Sequence, residues 1–459
     1  MQWNGRLISM IVVVALTSFM GTFLISSVNI ALPAIEKSFL LDAVSLSRIV
    51  TAFLLSTAIF LLPAGRWGDL MGIRRLFRIG LFIFVISSLG GGLAPSGNWL
   101  ILCRFIQGIG AAFSNTTGPA ILVSAFPPQH RGRVLGISVS GVYTGLAAGP
   151  FIGGMLTEYA GWRSIFFTGA ALGLFCIVLA WIYLGKDETS TSARRRFDYP
   201  GTGLYMTGFV LLVAGSSMIP FLAGWLFLAF GTFALILFWF VETRTEMPVL
   251  DTRLFKGNRL FAYSNIAALI NYSATFAIVF YLSLFLQKIQ GMPPRTAGTI
   301  LVAQPVMMAL MSPITGRLSD RIQPRFFTST GMFMCALGLL AMAFLTAATP
   351  VWAIVLLLLW VGTGFALFSS PNMNTIMGSV QKHQLGLASG TAATMRVAGQ
   401  IISMTIATLF IALYIGNQTV KTVPDAIFLR TMHYGFITFA LICGLGVWFS
   451  MKRGKVTFG

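Results

Sequence analysis

The chain has 459 residues, of which 56% are hydrophobic and 9% charged, with a mean hydropathy of +0.84 and a formal net charge of +19. That balance excludes the soluble globular classes and is that of an all-α polytopic membrane protein. In a soluble protein the positive charge would suggest nucleic acid. Here the preference of Lys and Arg for one side of a membrane explains it, and no nucleic-acid partner is expected.

Apolar runs of about 20 residues, enough to cross about 30 Å of hydrocarbon, recur along the chain. They predict fourteen spans, at about 8–33, 46–64, 77–95, 98–120, 134–158, 164–184, 200–219, 221–241, 260–287, 296–315, 326–347, 351–373, 385–415 and 433–451. Most of the 31 Lys and Arg then fall in loops on one side, which places both termini in the cytoplasm. The first run is too long for a signal-peptide core and ends in no cleavage pattern.

Within that first run Ser18, Thr22, Ser26 and Asn29 recur at helical spacing and form a polar stripe that lipid would disfavour. The stripe is expected to face the interior, with Ser26 and Asn29 lining a path for substrate or protons. The next loop carries Gly65, Asp69, Gly72, Arg74 and Arg75. A carboxylate there can meet helix N-terminal amides and pair with the arginines, as a latch on one access state. The fourth span holds Arg104 and, three residues on, Gln107. An arginine inside a span is costly unless it faces protein or water, so it is either a functional group or a structural partner of backbone carbonyls. The fifth span places Gly141, Gly145, Gly149 and Gly153 every four residues, with Pro150 and Gly154 beside them. One helix face without side chains admits a second helix closely, and Pro150 bends it. The seam is expected between the two halves, flexing during transport. Glu158 ends this span.

Residues 186–196 form a charged loop whose basic end suits the inner leaflet. Spans seven and eight follow, and residues 244–260 read as an interfacial linker. Span nine brings Asn265, Asn271 and Tyr272. The loop after span ten, with Gly316, Asp320, Arg321 and Arg325, echoes the loop after span two. The echo predicts two parallel six-span halves separated by two inserted spans, a 6 + 2 + 6 plan. The divisions fall at 1–185, 186–258 and 259–459. Span thirteen carries Arg396, Gln400 and Ser403 on one face, with Arg396 about 16 Å into the helix. An arginine near mid-membrane is a functional candidate, with a scaffold contact to a facing carbonyl as the competing reading.

The loop Gly65 to Arg75 resembles the signature loop of the major facilitator superfamily, and the fourteen spans resemble its fourteen-helix drug:proton antiporter family. The glycine run of span five is similar to that family's antiporter motif, and Arg104-x-x-Gln107-Gly108 to its fourth-span motif. The resemblance implies the major facilitator fold and export of amphipathic organic compounds by alternating access, coupled to protons. It implies no cofactor, a monomer and a prokaryotic inner membrane. Related antiporters carry an acid in span one, where this chain has Leu24. No carboxylate is expected at mid-membrane, and Glu158 is the one expected near the core. A neutral or anionic amphiphile, with Arg104 or Arg396 as counter-charge, is therefore the alternative cargo. A non-transporting membrane sensor is the alternative of another class. No P-loop points to ATP, no constellation points to an enzyme, and the three histidines and four cysteines suggest no metal site.

Overall fold

The computed structural model describes residues 5–126, 128–185, 198–245, 252–319, 323–380, 385–416 and 418–454. It is all-helical among them. The helices are α1 (Gly5–Phe39), α2 (Ala43–Met71), α3 (Ile73–Gly92), α4 (Gly97–Ala125), α5 (Pro128–Tyr159) and α6 (Arg163–Tyr183). Then come α7 (Tyr199–Ser217), α8 (Leu222–Arg244) and the short α9 (Thr252–Gly257). The remainder are α10 (Arg259–Thr275), α11 (Ala277–Leu284), α12 (Pro294–Leu301), α13 (Ala303–Ser319), α14 (Pro324–Ala343), α15 (Val351–Gly378), α16 (Leu385–Tyr414) and α17 (Asp425–Lys452). A π-helical turn, Phe285–Ile289, extends α11, so residues 259–289 form a nearly continuous rod. Pro305 has no N–H to offer the Leu301 carbonyl, and the helix breaks there between α12 and α13.

Ten helical stretches among the described residues are long and apolar enough to cross a membrane. Fourteen spans were expected. Among the helices outside the ten are α3, with Arg74, Arg75 and Arg78; α4, with Arg104 and Asn115; and the glycine-rich α5. Their polar and small residues lower hydropathy because these helices bury much of their surface against protein.

Packing repeats along the chain. The pairs α1–α5, α3–α4, α2–α4 and α3–α6 recur as α10–α16, α14–α15, α13–α15 and α14–α17. Between these groups α7 and α8 pair as a hairpin, with α7 resting on α2 and α16. The Tyr205 hydroxyl donates to the Ala58 carbonyl at 3.1 Å, which fixes α7 against α2. Phe255 of α9 packs its ring on Trp239 and Phe261, so part of the expected linker is a short helix seated beside α8 and α10.

Long helices alternate in direction. The start of α1 and the end of α17 share one face, called here the terminal face, and residues near 39–43, 93–97, 159–163 and 414–425 mark the far face. At the terminal face Arg453 is buried, donating to Asn372 at 3.0 Å and to Thr328. Asn372 in turn donates to the Ser264 carbonyl. One arginine thereby ties α17 to α14, α15 and α10. All four cysteines are free and buried.

Candidate functional site

The glycine seam positions the polar residues of α1. Helices α1 and α5 run parallel, and the four-residue glycine spacing matches the hydroxyl spacing on α1. A Cβ on Gly149 would sit 2.5 Å from the Ser26 Cβ, and one on Gly153 would sit 2.6 Å from that of Ser27. Gly141 and Gly145 face the Ala15 and Phe19 carbonyls in the same way. The carbonyls that this closeness exposes on α5 accept from the stripe. Thr22 donates to Val142 at 3.0 Å, Ser26 to Leu146 at 3.4 Å and Ser27 to Gly149 at 3.0 Å, while Ser18 meets Ser138. The seam was expected between the halves; it lies inside the first six-helix group. The stripe was expected to line a path; Ser26 is 4% exposed, and its hydroxyl joins two helices. Helical periodicity identifies a face but not the neighbour that covers it. Asn29, also buried, accepts through its backbone carbonyl from Ser283 at 2.7 Å, while its side-chain oxygen has no partner among the described residues.

Leu24 is fully buried and fills the space left by the missing side chain of Gly169 on α6. An acid at this position would be sealed against α6.

The second face of α5 carries Pro150 and Gly154, and this face does reach the later helices. Gly154 lies against the Pro294 carbonyl and Arg295, and Gly298 lies against the Pro150 carbonyl.

Arg104 is 1% exposed and held wholly by α2, α3 and α4. It donates to the Ile49 carbonyl at 3.2 Å and to Gln107, and it stacks 4.3 Å from the Phe53 ring centre. Gln107 donates to Ser88 at 2.6 Å. The guanidinium is paired and stacked away from water, an arrangement that rigidifies one helix group.

Arg396 and Gln400 stand differently. Both are partly exposed, about halfway along α16. Arg396, Ser369 and Tyr143 lie near the Tyr272 hydroxyl. Tyr143 and Ser369 hydroxyls are 3.1 Å apart. Four helices from both ends of the chain, α5, α10, α15 and α16, therefore meet at one polar cluster at mid-depth. Phe365 closes edge-on over Tyr272 at 5.4 Å. Ser403, expected on the same face as Arg396, is buried and accepts from the Ala277 N–H at 3.1 Å. Asn271, the neighbour of Tyr272, is fully buried with no nitrogen or oxygen partner among the described residues.

Hydrogen bonds joining the first six helices to those after residue 259 lie at this cluster or nearer the far face, among the described residues. Thr408 donates to Ser47, Gln287 to the Ile30 carbonyl, and the Ala43 N–H to the Gln418 carbonyl. Glu158 is exposed and accepts from the Arg295 N–H at 3.3 Å, while Arg295 also reaches Tyr159. Glu36 is the group the sequence reading passed over. It is 5% exposed at the end of α1 and accepts from the Lys421 N–H at 2.9 Å, with Lys288 and Lys421 as the nearby cations. Glu158 was expected to be the carboxylate nearest the core, but Glu36 is the one the interface buries. No local sequence signal marks it, because its partner lies 385 residues away.

At the terminal face, Gly72 joins α2 to α3 with φ of +93°, a conformation that side chains rarely adopt, and its N–H returns to the Gly68 carbonyl. Gly65 approaches Thr116 on α4. Arg74 is half-buried and Arg75 exposed. The Asp69 side chain, Asp320 and Arg321 lie outside the described residues, so the expected latch there is not part of the described geometry.

A helical bundle with repeated packing and a polar cluster shared by both ends of the chain is the plan of membrane transporters. Residues 14–404 match the family model of the Major Facilitator Superfamily, and the chain belongs to that family. It is 30% identical over 460 residues to the riboflavin transporter RibZ of Clostridioides difficile, covering 97% of this chain and 98% of that protein. It is 30% identical to the multidrug resistance protein Stp of Mycobacterium tuberculosis, covering 87% of this chain and 76% of Stp. In fold it is similar to a bacterial homologue of the lysosomal transporter Spinster in an inward-facing, unoccupied conformation. That match has a TM-score of 0.71 at 14% identity and covers 98% of this chain and 97% of that one.

Proposed function

We propose that the protein is a secondary active exporter of an amphipathic organic compound, working by alternating access across a prokaryotic inner membrane. The observation that carries this reading is the mid-depth cluster of Tyr143, Tyr272, Ser369 and Arg396, where both ends of the chain supply side chains to one place. A site of that kind can be exposed alternately to either side as the halves rock. The architecture is 6 + 2 + 6: residues 1–185 and 259–459 are the halves, and α7 and α8 are inserted spans, with both termini cytoplasmic. The terminal face is then the cytoplasmic one. Among the described residues, bonds between the halves gather at the far face, which supports closure on that side.

The cargo is neutral or anionic. Arg396 gives the cluster a positive charge, and no carboxylate borders it among the described residues. Riboflavin, named for the relative RibZ, is an uncharged aromatic compound with several hydroxyls. Tyr272, Phe365 and Tyr143 offer ring faces, and Gln400 and Ser369 offer hydrogen bonds, to a cargo of that chemistry. Relatives named for drug resistance support the outward direction. Protons couple at the far face, where Glu36 leaves its partner as that face opens and takes up a proton from that side. The carboxylate-to-amide contact of Glu36 is the far-face latch.

Proteoliposomes loaded with riboflavin or with anionic and cationic aromatic dyes test this. Efflux of the neutral or anionic probes should follow an inward proton gradient, and Arg396→Ala should abolish it while the exposed Lys256→Ala keeps it. Preferential efflux of the cationic dyes would overturn the cargo assignment, and indifference to the gradient would overturn the coupling.

A further inference from the structure

A slot of about 290 Å³ lies outside the transport cluster, between α2, α4 and α7. Thr51, Ala52 and Leu55 form one wall, Ile101 and Phe105 a second, and Val210, Val213 and Ala214 the third. Ser217, Met218 and Arg48 surround its mouth at the far-face level. Arg48 and Leu55 lie seven residues apart on one helix, so the slot runs about 10 Å along the bundle axis at 1.5 Å per residue. Arg48 is the only charged residue in the lining.

Arg48 is exposed and has no hydrogen bond, ion pair or ring contact among the described residues. The acid nearest it on α2, Asp42, is committed to capping that helix, accepting from the Ser45 N–H at 2.6 Å and the Ser45 hydroxyl at 3.0 Å. Arg48 therefore offers all its donors to something outside the protein. A guanidinium is matched to phosphate oxygens by its planar fork of donors. Below it lies an apolar slot with little to hold water. Val210 on its rim is 40% exposed. Trp99, 47% exposed at the start of α4, marks the headgroup level on the α3 side of that helix.

We propose that this slot is a binding site for one anionic phospholipid of the far leaflet, its phosphate on Arg48 and one acyl chain between α2, α4 and α7. A bilayer supplies acyl chains at that depth, and the unpaired arginine selects the headgroup charge. The lipid is then the mortar between the inserted hairpin and the first half, on the side where Tyr205 supplies the one described hydrogen bond from α7 to α2. The inference rests on the reading above that α7 crosses the membrane.

The test is native mass spectrometry of delipidated protein in mild detergent, titrated with dioleoyl phosphatidylglycerol or dioleoyl phosphatidylethanolamine. One phosphatidylglycerol per chain should be retained, and phosphatidylethanolamine about tenfold less. Arg48→Ala should lower phosphatidylglycerol retention about tenfold, the scale of one lost charge-assisted contact. Ala214→Trp, which fills the slot and leaves Arg48 in place, should lower it as much. Both variants are checked for monodispersity and helical circular dichroism. Equal retention by wild type and either well-folded variant, or equal retention of the two lipids, overturns the proposal. Binding is read without transport, so a failure of the export reading leaves it standing. The placement of α7 is read separately, by labelling Ser217→Cys and Gly5→Cys in sided vesicles with an impermeant maleimide. Labelling of both from one side would remove α7 from its span and the lipid site with it.

Discussion

Removing the Glu36 carboxylate should open the far face. This side chain is 95% withdrawn from solvent and holds the Lys421 N–H of the opposite helix group at 2.9 Å. A hydrogen bond to a charged acceptor is worth about 1.5–3 kcal/mol, and the lower figure applies because the contact is only part-buried. Glu36→Ala loses that bond, while Lys288 keeps its ion pair with Asp425 at 3.1 Å. About 1.4 kcal/mol is tenfold in an equilibrium, so the far-closed to far-open ratio should fall about tenfold. Glu36→Gln keeps an acceptor but no charge. At about half the energy, it should shift the ratio about threefold. The assay is the distance distribution between spin labels at Leu40→Cys and Thr422→Cys, two exposed far-face positions. The four native cysteines are buried and should remain unlabelled. A long-distance population should grow in the order wild type, Gln, Ala. Identical distributions in all three would refute the latch.

Other expectations follow from the same contacts. Gly149→Val should lower thermal stability by the 1–3 kcal/mol typical of overpacking, because even its Cβ would lie 2.5 Å from that of Ser26; Gly203→Leu, with nothing within 4 Å, should be neutral or slightly stabilising by melting in detergent. Arg104→Met should cost stability by leaving the Gln107 Oε1 without its donor, whereas Arg396→Ala should leave the melting temperature near wild type and remove transport; the reverse pattern would exchange their roles. Leu24→Asp should reduce folded yield without conferring efflux of cations, since the new acid would be sealed against Gly169. Arg453→Ala should lower the melting temperature by freeing the end of α17 from Asn372 and Thr328.

The run of helices and the position of Arg396 about halfway along its helix were legible in the sequence because each depends on local period and composition. Which surface a helix presses against was not. The α1 stripe and the α5 glycines each suggested a face, but only their matching four-residue spacing in three dimensions shows that the two faces cover each other. Arg104 and Arg396 looked equivalent as arginines inside apolar runs. Packing separates them, because Ile49 and Phe53 enclose the first while the second stands where four helices meet. Glu36 was invisible for a related reason: a carboxylate at a helix end carries no mark of a backbone amide 385 residues on.

The close registry of α1 and α5 has a mechanical consequence. Three hydroxyls and four glycines weld the two helices, so α5 cannot slide along α1 without breaking several bonds together. Motion is left to the other side of α5, where Pro150 and Gly154 touch Gly298 and Pro294 with little more than backbone. A contact of that kind resists compression but hardly resists rotation. Under the alternating access proposed above it would work as a fulcrum, and the break between α12 and α13 lies one turn beyond it, where the load of a rocking half would bend the chain.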